Sequence, residues 1–248
     1  MNPTLIQNKT GEIRSSNYGL MEIIEYNNTR NIKVKFETGS IVKTNYGNFK
    51  KRKIKDPLFP IVYEIGYLGI GKFKPSINGK CTIEYQTWHN MLKRCYDSYT
   101  INKYQTYQNA TVCKEWLNFQ NFAEWFHKNY YEIPRGKVEL DKDLIKQNNK
   151  LYCPKFCSFV PKSINSLLVK KDKSRGKWLI GVCHTKSNKY TARLKNKHLG
   201  TFNTELQAFN VYKRAKEKQI KIMINKYRSY LSPRVYLYLR LYRIKITD

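Results

Sequence analysis

No run of roughly 18 apolar residues occurs in the 248-residue chain, so no segment reads as a membrane-spanning helix. The opening MNPTLIQNKTGEIR lacks the apolar stretch of a secretory signal, which leads to the expectation of a cytoplasmic protein. Six cysteines are scattered, and only Cys153 and Cys157 lie close together, with no second pair at zinc-ribbon spacing. A disulfide framework is not expected on these grounds, and the CPKFC pair is expected to be two buried thiols rather than part of a structural zinc site with Cys95 or Cys113 as distant partners. Acid is scarce: 18 Asp and Glu face 47 Lys and Arg, a formal charge of +29. Self-repulsion of that size destabilises a compact chain unless a polyanion neutralises it. The expected partner is therefore nucleic acid, with no membrane partner and no small-molecule substrate.

What is present divides by pattern. Aromatic residues make up 14% of the chain, enough for several small cores despite a hydrophobic content of 41%. Within 17–56, MEIIEY, NIKVKF and SIVKT are short β-rich runs separated by the turn clusters NNTRN and ETGS. They predict a small antiparallel barrel or sheet, SH3-like in outline, over 1–56. Its basic exit, Lys50, Lys51, Arg52 and Lys53, is a candidate phosphate contact. Residues 57–82, with Pro57, Pro60, Pro75 and GYLGIGK, read as a linker, because this GxG does not join a strand to a helix.

TIEYQTWHNMLKRCYDSYT repeats Tyr85, Trp88, Met91, Leu92 and Cys95 at helical spacing, and KEWLNFQNFAEWFHKNY predicts a second helix. Then comes LDKDLIKQNNKLYCPKFCSFVPKSIN. It reads as a strand with acids at its end, a loop, a second strand and a helix carrying Asn165. Strand alternation puts Asp141 and Asp143 on one side and Lys142 on the other. Two carboxylates and a helix-borne amide can hold Mg²⁺ or Mn²⁺, which would polarise a scissile phosphate. Residues 171–228 hold sixteen Lys and Arg against three acids. Here KWLIGVCHT, YTARLKN and HLGTF predict three strands, and Thr204 is the N-cap of a long helix. The tail SPRVYLYLRLYRIKITD, 223–248 with its approach, is expected to be a strand or short helix packed on an earlier domain.

Two resemblances follow from these stretches. Trp88, Met91, Arg94, Cys95 and Tyr96, then Val112, Cys113, Glu115, Trp116, Phe119 and Phe122, then Leu140, Asp141, Lys142, Tyr152, Pro154, Cys157, Phe159 and Val160 resemble the phage- and prophage-borne HNH-type endonucleases. Gly181, Val182, Tyr190, Ala192, Leu194, Leu199, Gly200, Thr201, Phe202, Thr204, Ala208, Tyr212 and Ala215 are similar to the AP2 DNA-binding domain. Together they imply an α+β, multidomain chain: an HNH-like ββα module with flanking helices over 83–172, and an AP2-like three-stranded sheet plus helix over 173–222. The order is one that the resemblance associates with phage homing endonucleases, acting in a bacterial host's cytoplasm. The catalytic set implied is Asp141, Lys142, Asp143 and Asn165, with Asp141, Asp143 and Asn165 on the metal and no organic cofactor. Double-stranded DNA would be met by Lys186, Lys189, Tyr190, Arg193, Lys195 and Lys197, with Arg193 the main contact.

The chain departs from the wider HNH pattern at two positions. Lys142 stands where the histidine base is usual, and a lysine titrating near 10.4 does not accept a proton from water at neutral pH. Phe156 stands at the middle Asn. A base would then have to come from His89, His127 or metal-bound water. Three readings are open: a site-directed DNA endonuclease, a DNA-binding protein whose nuclease-like module is a catalytically inactive scaffold, and an RNA-binding or nucleoprotein role.

Overall fold

The computed structural model describes residues 7–168 and 177–247, and the boundary expected between 172 and 173 lies outside them. The chain is mixed α+β with several small sheets. It forms two compact units, Met1–His127 and Lys128–Asp248, so the stretch 83–172 contributes to both. No helix among the described residues is long and apolar enough to cross a membrane.

The first unit opens with an antiparallel meander of four strands in sequence order, β1 (Ile13–Ser16), β2 (Gly19–Asn28), β3 (Asn31–Phe36) and β4 (Ile41–Thr44). Alternation delivers Met21, Ile23, Ile32, Val34 and Phe36 to one face. There they meet Phe49 of the short α1 (Tyr46–Lys50) and Ile54. Asp56 is 3% exposed and fully employed. It accepts hydrogen bonds from Thr38 Oγ1 (2.7 Å), Ser40 Oγ (2.6 Å) and the Leu58 amide (2.8 Å).

The stretch read as a linker is docked rather than free. Tyr67 exchanges backbone hydrogen bonds with Leu117 and Phe119. The Gln120 side chain accepts from the Phe73 amide and donates to the Leu68 and Phe73 carbonyls. A hairpin of β5 (Ser76–Ile77) and β6 (Lys80–Cys81) turns at Asn78 and Gly79, both at positive φ, which is where that residue pair belongs. It leads into α2 (Ile83–Tyr96), capped by Thr82 and buried through Trp88, Met91, Leu92 and Cys95. After α3 (Ser98–Lys103) and the short strand β7 (Thr111–Val112), the expected second helix is broken in two, α4 (Lys114–Leu117) and α5 (Phe119–Asn129). Extended backbone at Asn118 makes the break, and its side chain accepts from the Gln120 amide to restart the helix.

In the second unit, β8 (Val138–Asp141) pairs antiparallel with β10 (Ser158–Pro161), the short β9 (Leu151–Tyr152) lies between them in sequence, and α6 (Lys162–Leu168) follows at once. A three-stranded antiparallel sheet comes next, β11 (Val182–His184), β12 (Tyr190–Leu194) and β13 (Lys197–Phe202). Helix α7 (Glu205–Lys226) opens with the expected Thr204 cap, which forms a reciprocal capping box with Gln207. Gly181 precedes the sheet at φ +79°, and an added Cβ would lie 2.1 Å from the Tyr212 ring, so only glycine fits.

Two cores share α7. Ala208, Phe209 and Tyr212 pack on Ile180, Val182 and Ala192 of the sheet region, while Ile220 and Ile224 pack with Leu144, Val160, Ile164 and Leu167 of the ββα element. The tail supplies α8 (Pro233–Leu241), capped by Ser232, whose Val235 and Leu239 enter the second core with Leu231. The tail is thus a short helix packed on the earlier ββα core.

Candidate nucleic-acid interface

The acidic end of β8 is a turn, not a continuing strand. The strand stops at Asp141, and Asp141 Oδ1 accepts the backbone amides of Asp143 (2.8 Å) and Leu144 (2.6 Å). Alternation therefore does not carry over to Asp143. Lys142 is 5% exposed. Its ammonium donates to the exposed Asp143 Oδ2 at 2.6 Å and to the Asn149 carbonyl, and lies over the Tyr152 ring. Asn149, itself buried, returns the contact by donating to the carbonyls of Lys142 and Leu151. Lys142 is therefore the pin that closes the 142–149 loop. Burial pushes the Asp141 carboxyl above its ordinary range, and neighbouring Asp143 pushes the same way, against the two amides and the Lys142 charge.

Asn165 meets a different acid. Its amide donates to Glu139 Oε2 at 3.1 Å, and Glu139 also lies 3.7 Å from the Lys162 ammonium. Register explains this: Glu139 and Asp141 are two apart on β8 and share the face of Val160, which α6 covers. The structure thus joins Asp141 to Asp143 through one turn, and Asn165 to Glu139. Each of the three expected ligands already spends a polar atom on a protein partner. Among the described residues no group of three His, Cys, Asp or Glu side chains is placed to hold a metal ion. Both alternative bases are in the first unit. His89 lies between the rings of Tyr63 (5.1 Å) and Tyr85 (6.0 Å), and His127 stacks on Phe73 with Nε2 3.6 Å from Glu84. Cys153 and Cys157 are buried, and none of the six cysteines is in a disulfide.

The three-stranded sheet has one face on α7 and one open. Cross-strand partners Cys183, Thr191 and Thr201 share the other side, where Cys183 and Thr201 are exposed and the central Thr191 is buried, donating to the Cys183 carbonyl. A register shift between Ala192 and Arg193 then pairs Arg193 with His198, both exposed on that side. Tyr190, expected at the DNA, is instead on the helix side. It is two residues from Ala192, and its ring packs edge-on against Trp178 (5.5 Å) and His184 (5.1 Å). Lys186 and Lys189 occupy the hairpin between β11 and β12, held by Thr185 Oγ1 across the turn. Lys195 and Lys197 occupy the next hairpin, with Lys195 at φ +55°. All four lysines are exposed, and none is ion-paired with another described residue.

The charge is unevenly shared. The second unit holds 29 Lys and Arg against 8 acids, and no Asp or Glu occurs between Asp172 and Glu205. The sheet is a surface without a carboxylate, positive at both hairpin tips. Those tips are at opposite ends of β12, roughly 20 Å apart at about 3.3 Å per residue. Sequence reasoning missed Glu139, Asn149 and His198. Alternation from Asp141 would have found Glu139, whereas Asn149 and His198 depend on loop closure and a bulge that no local pattern signals. Compared with known proteins, the chain matches no family model, no curated protein and no solved structure.

Proposed function

We propose that the chain is a duplex-DNA-binding protein that docks the open face of β11–β13, AP2-like in outline, against the major groove, and that its HNH-like ββα element serves as a scaffold. The observation that carries this reading is the carboxylate-free sheet with a lysine pair at each end of β12 and Arg193 between them. A major groove is about 12 Å wide with phosphates along both edges, so tips roughly 20 Å apart reach both backbones. Arg193 then faces base edges, where a guanidinium reads guanine through a two-pronged contact. The scaffold role rests on Lys142. A buried ammonium committed to a loop carbonyl and to Asp143 has no free position from which to activate water.

The test is anisotropy of a labelled duplex against Arg193→Ala and against the wild type. The variant should keep its circular dichroism spectrum and lose about ten- to a hundredfold in affinity for its best site. An unchanged affinity rejects the sheet as the reading surface.

A second reading, metal-dependent phosphodiester cleavage, is favoured by one observation: Glu139, Asp141 and Asn165 all belong to the side of β8 that α6 covers. Supercoiled DNA incubated with Mg²⁺ or Mn²⁺ decides between the two. Cutting by the wild type that disappears in Asp141→Ala and Glu139→Ala establishes cleavage. Intact DNA in every lane leaves the scaffold reading standing.

A further inference from the structure

The first unit carries an aromatic surface that the sheet's role does not use. Asp97 ends α2 and caps α3, its Oδ2 accepting the Thr100 amide (2.9 Å) and Thr100 Oγ1 (2.6 Å). Tyr99 and Lys103, four residues apart on α3, share one helix face. The Lys103 ammonium is 5.6 Å from the ring centres of both Tyr99 and Tyr104. Tyr107 meets Tyr104 edge-on at 6.1 Å, and the Arg94 guanidinium lies 5.8 Å from the Tyr107 ring centre. Tyr99 is 69% exposed and Tyr104 50%. No acid occurs from Ser98 to Lys114.

We infer that Tyr99, Lys103 and Tyr104 form a stacking platform for an unpaired DNA strand. Exposed aromatic faces beside cations satisfy both halves of such a strand. The rings stack on bases whatever the sequence, while the ammonium meets the phosphates. A duplex offers its phosphates but not its base faces, which are already stacked on one another. An acidic peptide would engage Lys103 but leave the two tyrosine faces wet. Tyrosine suits the role, since its ring stacks while its hydroxyl keeps the empty surface hydrated. The platform lies in a different unit from the sheet and binds a different form of DNA, so it stands without the duplex reading.

The experiment uses the full chain and a fluorescein-labelled oligo(dT) of about twenty nucleotides, read by anisotropy at low and at high salt. Because both rings are exposed, Tyr99→Ala/Tyr104→Ala should fold as the wild type does, which near-ultraviolet circular dichroism checks. Its affinity for the strand should fall about tenfold or more, and the ratio to wild type should persist at high salt, since stacking is not screened. Tyr99→Phe/Tyr104→Phe should bind as the wild type. Equal affinity of the alanine variant overturns the platform, and so does a phenylalanine variant as weak as the alanine one. Arg193→Ala on a duplex is run alongside. A null result there strikes the sheet alone, and a null result with the tyrosines strikes the platform alone.

Discussion

Lys142 is a buried cation, and its surroundings explain why it is tolerated. Its stem is buried, its charge is met by Asp143, and its remaining hydrogen bond closes a loop on Asn149. Lys142→Met keeps the stem but leaves the Asn149 carbonyl without its donor. Unfolding in urea should show a loss of about 1–3 kcal/mol. A loss near zero would mean that the loop closes without the pin. Asp141 gives a pH signature. Its folded carboxyl is held above the ordinary range, so the folded state retains the proton longer, and stability from this group falls as pH rises from the unfolded value through the folded one. Asp141→Asn keeps an oxygen for the amides of Asp143 and Leu144 and removes the charge. Its melting temperature should therefore exceed that of the wild type at pH 7, and the gap should close below pH 4, the ordinary carboxylate range. A gap that widens on acidification would reverse the assignment.

Among the elements, those fixed by neighbours in sequence were legible and those fixed by distant contacts were not. The helix from Thr82 and the capping box at Thr204 follow from spacing and caps, so they were readable. The break at Asn118, which bridges to Tyr67, the docking of 57–80 through Gln120, and the register shift at Arg193 depend on partners remote in the chain or across a sheet. The acidic turn was half legible: a strand ending in acid could be read, but the strand's last residue decides which side chains share a face. The hairpin at Lys195 tests charge against conformation. A left-handed backbone costs a side-chain residue about 1 kcal/mol, which glycine avoids. Lys195→Gly should thus be about 1 kcal/mol more stable, yet bind duplex more weakly, with its salt slope shallower by about one. Stability and affinity moving together would contradict the separation of roles. Helix α7 supports both cores, so Ile220→Ala should cost about 2–5 kcal/mol. Hydrogen exchange should show β8 and β12 losing protection together, and protection lost in β8 alone would show that the cores are independent.

At the scale of the molecule, charge is the dominant property, and it is concentrated in the second unit. The four lysines at the hairpin tips, at about −0.9 each, predict a log–log slope of duplex affinity against salt of roughly −3.6 or steeper. A slope shallower than −1 would remove electrostatics as the source of binding. A helix of 22 residues spans about 33 Å, long enough to carry a separate core at each end. This shared beam limits how the protein can be rebuilt. A graft of residues 177–216 alone would cut α7 between its two loads, stranding Ile220 and Ile224 in one product and leaving the other without its underside. Recombination could exchange this sheet between lineages only by moving everything from residue 138 to 244 as one cassette.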